Sequence, residues 1–106
     1  MSVDQLAKTF TTTDPDTPDA STTDRVVCYS IRADADAGLM PRVLHLLAKR
    51  DLVAERLHAD RVGADGEDLS IDLQVAGLDA HTGGFIAACL RQIVGVQTVL
   101  MSEKAP

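Results

Sequence analysis

Residues 68–76 read DLSIDLQVA, and this stretch decides the architecture. Leu69, Ile71, Leu73 and Val75 fall on one side of an extended chain, and Ser70, Asp72 and Gln74 on the other. A strand with one apolar and one polar face belongs to a sheet covered on one side only. A sheet buried on both faces would need apolar residues at nearly every position.

Working outward towards the N-terminus, Gly63–Glu67 (GADGE) is a hairpin loop with two glycines able to take positive φ. Before it, Leu52–Val62 is expected to be a strand, with Val53, Leu57 and Ala59 alternating and Glu55 breaking the pattern. Leu39, Met40, Val43, Leu44, Leu46 and Leu47 recur at helical spacing, with Arg42, His45, Lys49 and Arg50 opposite. Pro41 fits only near a helix start, so this helix is expected to run from about Gly38 to Arg50–Asp51. The turn Asp34–Gly38 (DADAG) connects it to a first strand, Arg25–Ala33, with Val27, Tyr29 and Ile31 on one face.

Outward in the other direction, Gly77–His81 is a loop. Phe85, Ile86, Cys89, Leu90 and Ile93 mark a second amphipathic helix, with Asp79 or Thr82 as N-cap and Gly95 as its end. Val96–Met101 is the last strand. The order is therefore βαββαβ. Two right-handed βαβ units joined by a hairpin predict an α+β, ferredoxin-like sandwich, a four-stranded antiparallel sheet with two helices on one face.

The 106 residues suffice for one domain. Thr11–Asp24 (TTTDPDTPDASTTD) holds no large apolar side chain, so residues 1–24 are expected to form a flexible acidic tail. They carry five Asp and one Lys, which is −4 of the chain's −6. The domain is assigned to residues 25–102 and a short C-terminal tail to 103–106.

Composition excludes several functions. An acidic chain lacks the clustered Lys and Arg that release counterions from nucleic acid or an anionic membrane. RNA-binding relatives of this architecture stack bases on aromatic residues of the two central strands, and here those strands offer Tyr29 and no Phe. No apolar run approaches a membrane span, and no signal peptide opens the chain. Cys28 and Cys89 sit in apolar segments and read as small core residues, so a cytoplasmic location is expected. No catalytic or metal-binding constellation is present. His45, His58 and His81 show no i, i+4 pair, and His58 with Asp60 on one strand face reads as two solvated side chains. Asp65, Glu67 and Asp68 lack the spacing of a calcium loop, and no cofactor is implied.

The run from Tyr29 to Val62, YSIRADADAGLMPRVLHLLAKRDLVAERLHADRV, resembles the first half of an ACT domain. More narrowly, the chain is similar to the small regulatory subunit of acetohydroxyacid (acetolactate) synthase, the enzyme that begins branched-chain amino acid biosynthesis. The shared features are Gly38 opening the helix, Arg42-Val43 one turn in, Lys49-Arg50 ending it, and Leu69–Leu73 as third strand. Ile93-Val94-Gly95-Val96 followed by Val99 resembles that family's closing strand. This resemblance covers roughly Arg25 to Met101.

The resemblance implies a non-catalytic subunit that binds and activates the large catalytic subunit of a thiamine-diphosphate-dependent synthase. It implies a homodimer with sheets joined side by side, and an amino acid effector held at the dimer interface near the first strand–helix loop. The residues it assigns to that site are Asp34, Asp36, Ala37, Gly38 and Leu39. Two positions depart from the family pattern. Ala35 stands where effector-binding members carry Asn or Asp, and Val53 is the nearest equivalent of an Asn early in the second strand. Both departures remove polar groups that hold an α-amino acid, which implies weak or absent feedback. The alternative is a free-standing ACT domain that senses a small ligand for a different enzyme.

Overall fold

The computed structural model describes residues 25–104, and the tail expected over residues 1–24 lies outside them, as do residues 105 and 106. The elements are β1 (Val26–Asp34), α1 (Leu39–Lys49), β2 (Arg56–Val62), β3 (Asp68–Ala76), α2 (Ala80–Arg91) and β4 (Val96–Lys104). The sheet runs β2-β3-β1-β4, and every neighbouring pair is antiparallel. The predicted βαββαβ order and single four-stranded sheet are what the chain adopts.

The alternation of residues 68–76 sets the register. Leu73 lies opposite Tyr29, Ile71 opposite Ile31 and Val75 opposite Val27, so all six share one face. That face meets Leu39, Val43 and Leu47 of α1 and Ile86, Ala87 and Leu90 of α2 in one continuous core. Both helices therefore cover the same side of the sheet, while Ser30, Arg32, Ser70, Asp72 and Gln74 stay on the other. Tyr29 is fully buried, and its hydroxyl donates to the Gly83 carbonyl at 2.8 Å. A Cβ on Gly83 would stand 3.4 Å from Val27 Cγ2 and 3.7 Å from the Tyr29 hydroxyl, ordinary contact distances.

Three details differ from the sequence reading. β2 begins at Arg56 rather than Leu52. Asp51 takes φ 58 as the chain leaves α1, and Leu52 N–H bonds back to the Leu47 carbonyl. Leu52 and Ala54 then pack on the core while Val53 is exposed, so inward residues change from even to odd before Leu57. Glu55 sits at that change of parity. Secondly, β4 continues past Met101 to Lys104, because the start of β1 needs a partner: Val26 faces Lys104, Val27 faces Glu103 and Cys28 faces Ser102. Backbone pairing is indifferent to the polarity that makes Ser-Glu-Lys look like a tail. Thirdly, Cys28 and Cys89 are half-buried free thiols, not core residues.

Asp79 is the N-cap of α2, accepting from Thr82 N–H at 2.7 Å. That bond, seconded by the Thr82 hydroxyl, holds the carboxyl below its ordinary value of 3.8. A depressed carboxyl stabilises the fold above its unfolded-state pKa, and the contribution disappears as pH falls through the lower folded-state value. Asp79→Ala is expected to lower the thermal midpoint at neutral pH. The gap to wild type should narrow in scanning calorimetry as pH falls below the ordinary carboxylate range and through the lowered folded-state value.

Candidate functional site

The β1–α1 loop is tied down by three backbone bonds. Ala35 N–H donates to the Glu67 carbonyl (2.9 Å), Asp36 N–H to Asp34 (2.8 Å) and Leu39 N–H to Asp36 (2.9 Å). The first of these joins the loop to the β2–β3 hairpin. A cleft of about 390 Å³ opens between the two, lined by Ala35, Asp36, Ala37, Met40, Arg61 and Leu69. Its volume is that of a small-molecule site. Arg61 and Leu69 are direct cross-strand partners, so one wall is a pair fixed by sheet register.

The cleft lining carries one carboxylate and one guanidinium. Asp36 Oδ2 is held by Arg42 Nη1 at 3.2 Å. Arg61 donates through Nε (3.0 Å) and Nη2 (2.8 Å) to the Gly66 carbonyl at the hairpin tip. Gly66 takes φ +67 there, a conformation that suits glycine. The rest of the lining is the apolar side chains of Ala35, Ala37, Met40 and Leu69. The arrangement suits a small molecule with a cationic and an anionic end and an apolar body. It holds no nucleophile with an adjacent base.

Of the five residues assigned to the site from sequence, Asp36 and Ala37 line the cleft. Gly38 is the N-cap of α1 with φ −81, and a Cβ there would meet only the ends of the Arg42 and Asp36 side chains. Leu39 is fully buried in the core. Asp34 turns towards β4, where Gln97 Nε2 donates to its Oδ1 and to Asp68 Oδ1, both at 2.9 Å. Ala35, noted from sequence as a departure from the effector-binding pattern, also lines it, and Met40, Arg61 and Leu69 join without having been singled out. For Arg61 and Leu69 the signal was the hairpin register, which pairs the end of β2 with the start of β3.

Elsewhere, His58 Nε2 meets Asp60 Oδ2 at 3.0 Å on the exposed face of β2. Among the described residues no group of three or more His, Cys, Asp or Glu converges. Among the described residues no helix is long and apolar enough to cross a membrane. A second depression of about 350 Å³ lies on the uncovered sheet face, lined by Ser30, Ile31, Arg32, Ser70, Thr98 and Leu100, with Arg32 facing Asp68 at 3.7 Å.

The family model described as an ACT-like domain matches residues 20–106. Among solved structures, the ACT domain of GTP pyrophosphokinase from Chlorobium tepidum superposes with a TM-score of 0.61 at 16% identity, covering 73% of this chain and 96% of that one. The C-terminal domain of the MgtC protein from Mycobacterium tuberculosis gives 0.62 at 10% identity, covering 78% and 90%. The ligand-free regulatory subunit of aspartate kinase from Thermus thermophilus gives 0.56 at 16% identity, covering 76% of this chain and 51% of that chain. At such identities the likeness is one of fold. The search of curated proteins found no match.

Proposed function

This chain belongs to the ACT-like domain family, and on that premise we propose that it is a non-catalytic regulatory subunit whose cleft senses a small zwitterion of the α-amino acid class. The observation that carries the reading is that one carboxylate, Asp36, and one guanidinium, Arg61, line the same otherwise apolar cleft. The ligand's ammonium goes to Asp36 and its carboxylate to the Arg61 fork, which leaves the Gly66 carbonyl to meet it. Met40 and Leu69 receive an apolar side chain.

The unpaired edge of β2 supports a dimer at the same place. Gln74, on β3, directs its carbonyl to Glu55 N–H, so even-numbered residues of β3 face β2. The main-chain groups of Leu57, Ala59 and Arg61 therefore point away from the sheet, with no partner among the described residues. Leu57, on this strand, is a partly exposed apolar side chain (36%). Two copies joined there bring two clefts to the seam. The partner enzyme we propose is the large subunit of a thiamine-diphosphate-dependent synthase, on the strength of the Tyr29–Val62 pattern.

Titration calorimetry against the protein amino acids tests the ligand. One of them is expected to bind, and Arg61→Ala to weaken it about 10- to 100-fold, the worth of a charge-assisted hydrogen-bond pair. No binding, or binding that Arg61→Ala leaves unchanged, rejects the site. For the partner, capture from the source lysate should recover the synthase, with its rate raised by added chain. A lone dimer that still binds an amino acid would favour a free-standing sensor.

A further inference from the structure

The sheet has a second outer edge, β4, and it differs from β2 in one respect. Ala35 N–H bonds towards β3 at Glu67, and Asp34 N–H bonds towards β4 at Gly95. Odd residues of this stretch thus face β3 and even ones face β4, since main-chain direction alternates along a strand. Ile31 faces β3, so its β4 partner Val99 directs its own N–H and carbonyl outward. Met101 and Glu103 follow the same parity. Leu100 (70% exposed) and Met101 (37%) add apolar side chains to this edge. A nine-residue edge with such side chains is a template for another strand.

One outward group on it is already taken. Arg91, at the last turn of α2, donates from Nη2 to the Val99 carbonyl at 2.9 Å. An arriving strand needs that carbonyl, and it would have to displace the guanidinium to reach it. The corresponding row on β2 carries no such contact among the described residues.

We propose that Arg91 closes the β4 edge against a second copy of this chain, leaving β2 as the edge through which it self-associates. Only the second half of that statement rests on the dimer proposed above. With Arg91 removed, both edges are open. Each forms a two-fold contact with its own kind, and two such contacts on one molecule generate an open-ended ribbon of sheets, not a closed dimer.

Light scattering after size exclusion, with the full chain, reads this directly. Wild type is expected at the mass of two copies over the concentrations tested. Arg91→Met is expected to at least about double the weight-average mass, rising with concentration, with wild-type circular dichroism. Arg91→Met with Met101→Pro, which deletes an outward N–H, should return to the wild-type mass. Arg91→Gln, with a shorter stem, gives the same reading should the methionine variant fail to fold. Wild-type mass for folded Arg91 variants, or growth that Met101→Pro does not reverse, overturns the role of Arg91. A wild-type monomer that becomes a dimer on Arg91→Met rejects the β2 dimer but upholds Arg91 as the guard of β4.

Discussion

Leu39→Ala is expected to cost about 2–5 kcal/mol of folding stability, the usual range for emptying a fully buried leucine site. Leu39 is 0% exposed and belongs to the core shared by both helices and the sheet. Its Cδ2 lies 3.2 Å from where a Cβ on Gly95 would stand, and Gly95 takes φ +100 in the turn into β4. The leucine therefore joins the start of α1 to the start of β4, and the surrounding backbone has little freedom to collapse into the space it leaves. Urea unfolding measures the loss. The comparison with Arg61→Ala is the informative part. Arg61 is exposed, and its removal should leave the unfolding midpoint close to wild type while ligand binding falls. Leu39→Ala should lose stability, and lose binding only in proportion to the unfolded fraction. A cost under about 1 kcal/mol, together with lost binding in the folded protein, would return Leu39 to the ligand site.

Tyr29→Phe is expected to cost about 1–3 kcal/mol at neutral pH, because it strands the Gly83 carbonyl in the interior. The same residue gives the fold an alkaline limit. Burial pushes the Tyr29 phenol up from 10.0 to about 12. A group whose folded pKa is raised contributes its stability in full below the unfolded value and loses it as pH rises through the folded one. The wild type should therefore lose on the order of 2–3 kcal/mol between about pH 10 and 12, beyond what other groups contribute. The phenylalanine variant should lack that slope, so the two unfolding curves converge as pH rises. The chain has a single tyrosine, so phenolate absorbance reports this group alone. A phenol that ionises near 10 in the folded protein would mean that the Tyr29–Gly83 contact opens readily.

The two substitutions also separate what was legible from what was not. Tyr29 and Leu39 both sit in apolar patterns, and both patterns place them on inward faces. The pattern was right about burial, while the family resemblance assigned Leu39 to a ligand. Family position marks where a site tends to lie along the chain, and at the start of a helix neighbouring residues point in directions about 100° apart, so core and cleft residues stand side by side. Ala37 and Met40 line the cleft while Leu39 enters the core, within four positions. Strand ends were harder still. The start of β2 depends on where α1 releases the chain at Asp51, and the end of β4 on how much of β1 awaits a partner.

The order of elements, the uncovered face of the sheet and most of the core were legible along the chain, but Leu44, Val53 and Phe85, which fall in the same apolar patterns, are exposed, and Cys28 and Cys89 are only half-buried. The legible features follow from side-chain periods of 2 and 3.6, which any short window displays. Tertiary packing alone puts Asp36 and Arg61 in the lining of one cleft, turns Asp34 away to Gln97 and seats Arg91 on the Val99 carbonyl. Each of these brings together residues on different elements, and strand register and helix placement, not local periodicity, set their distances.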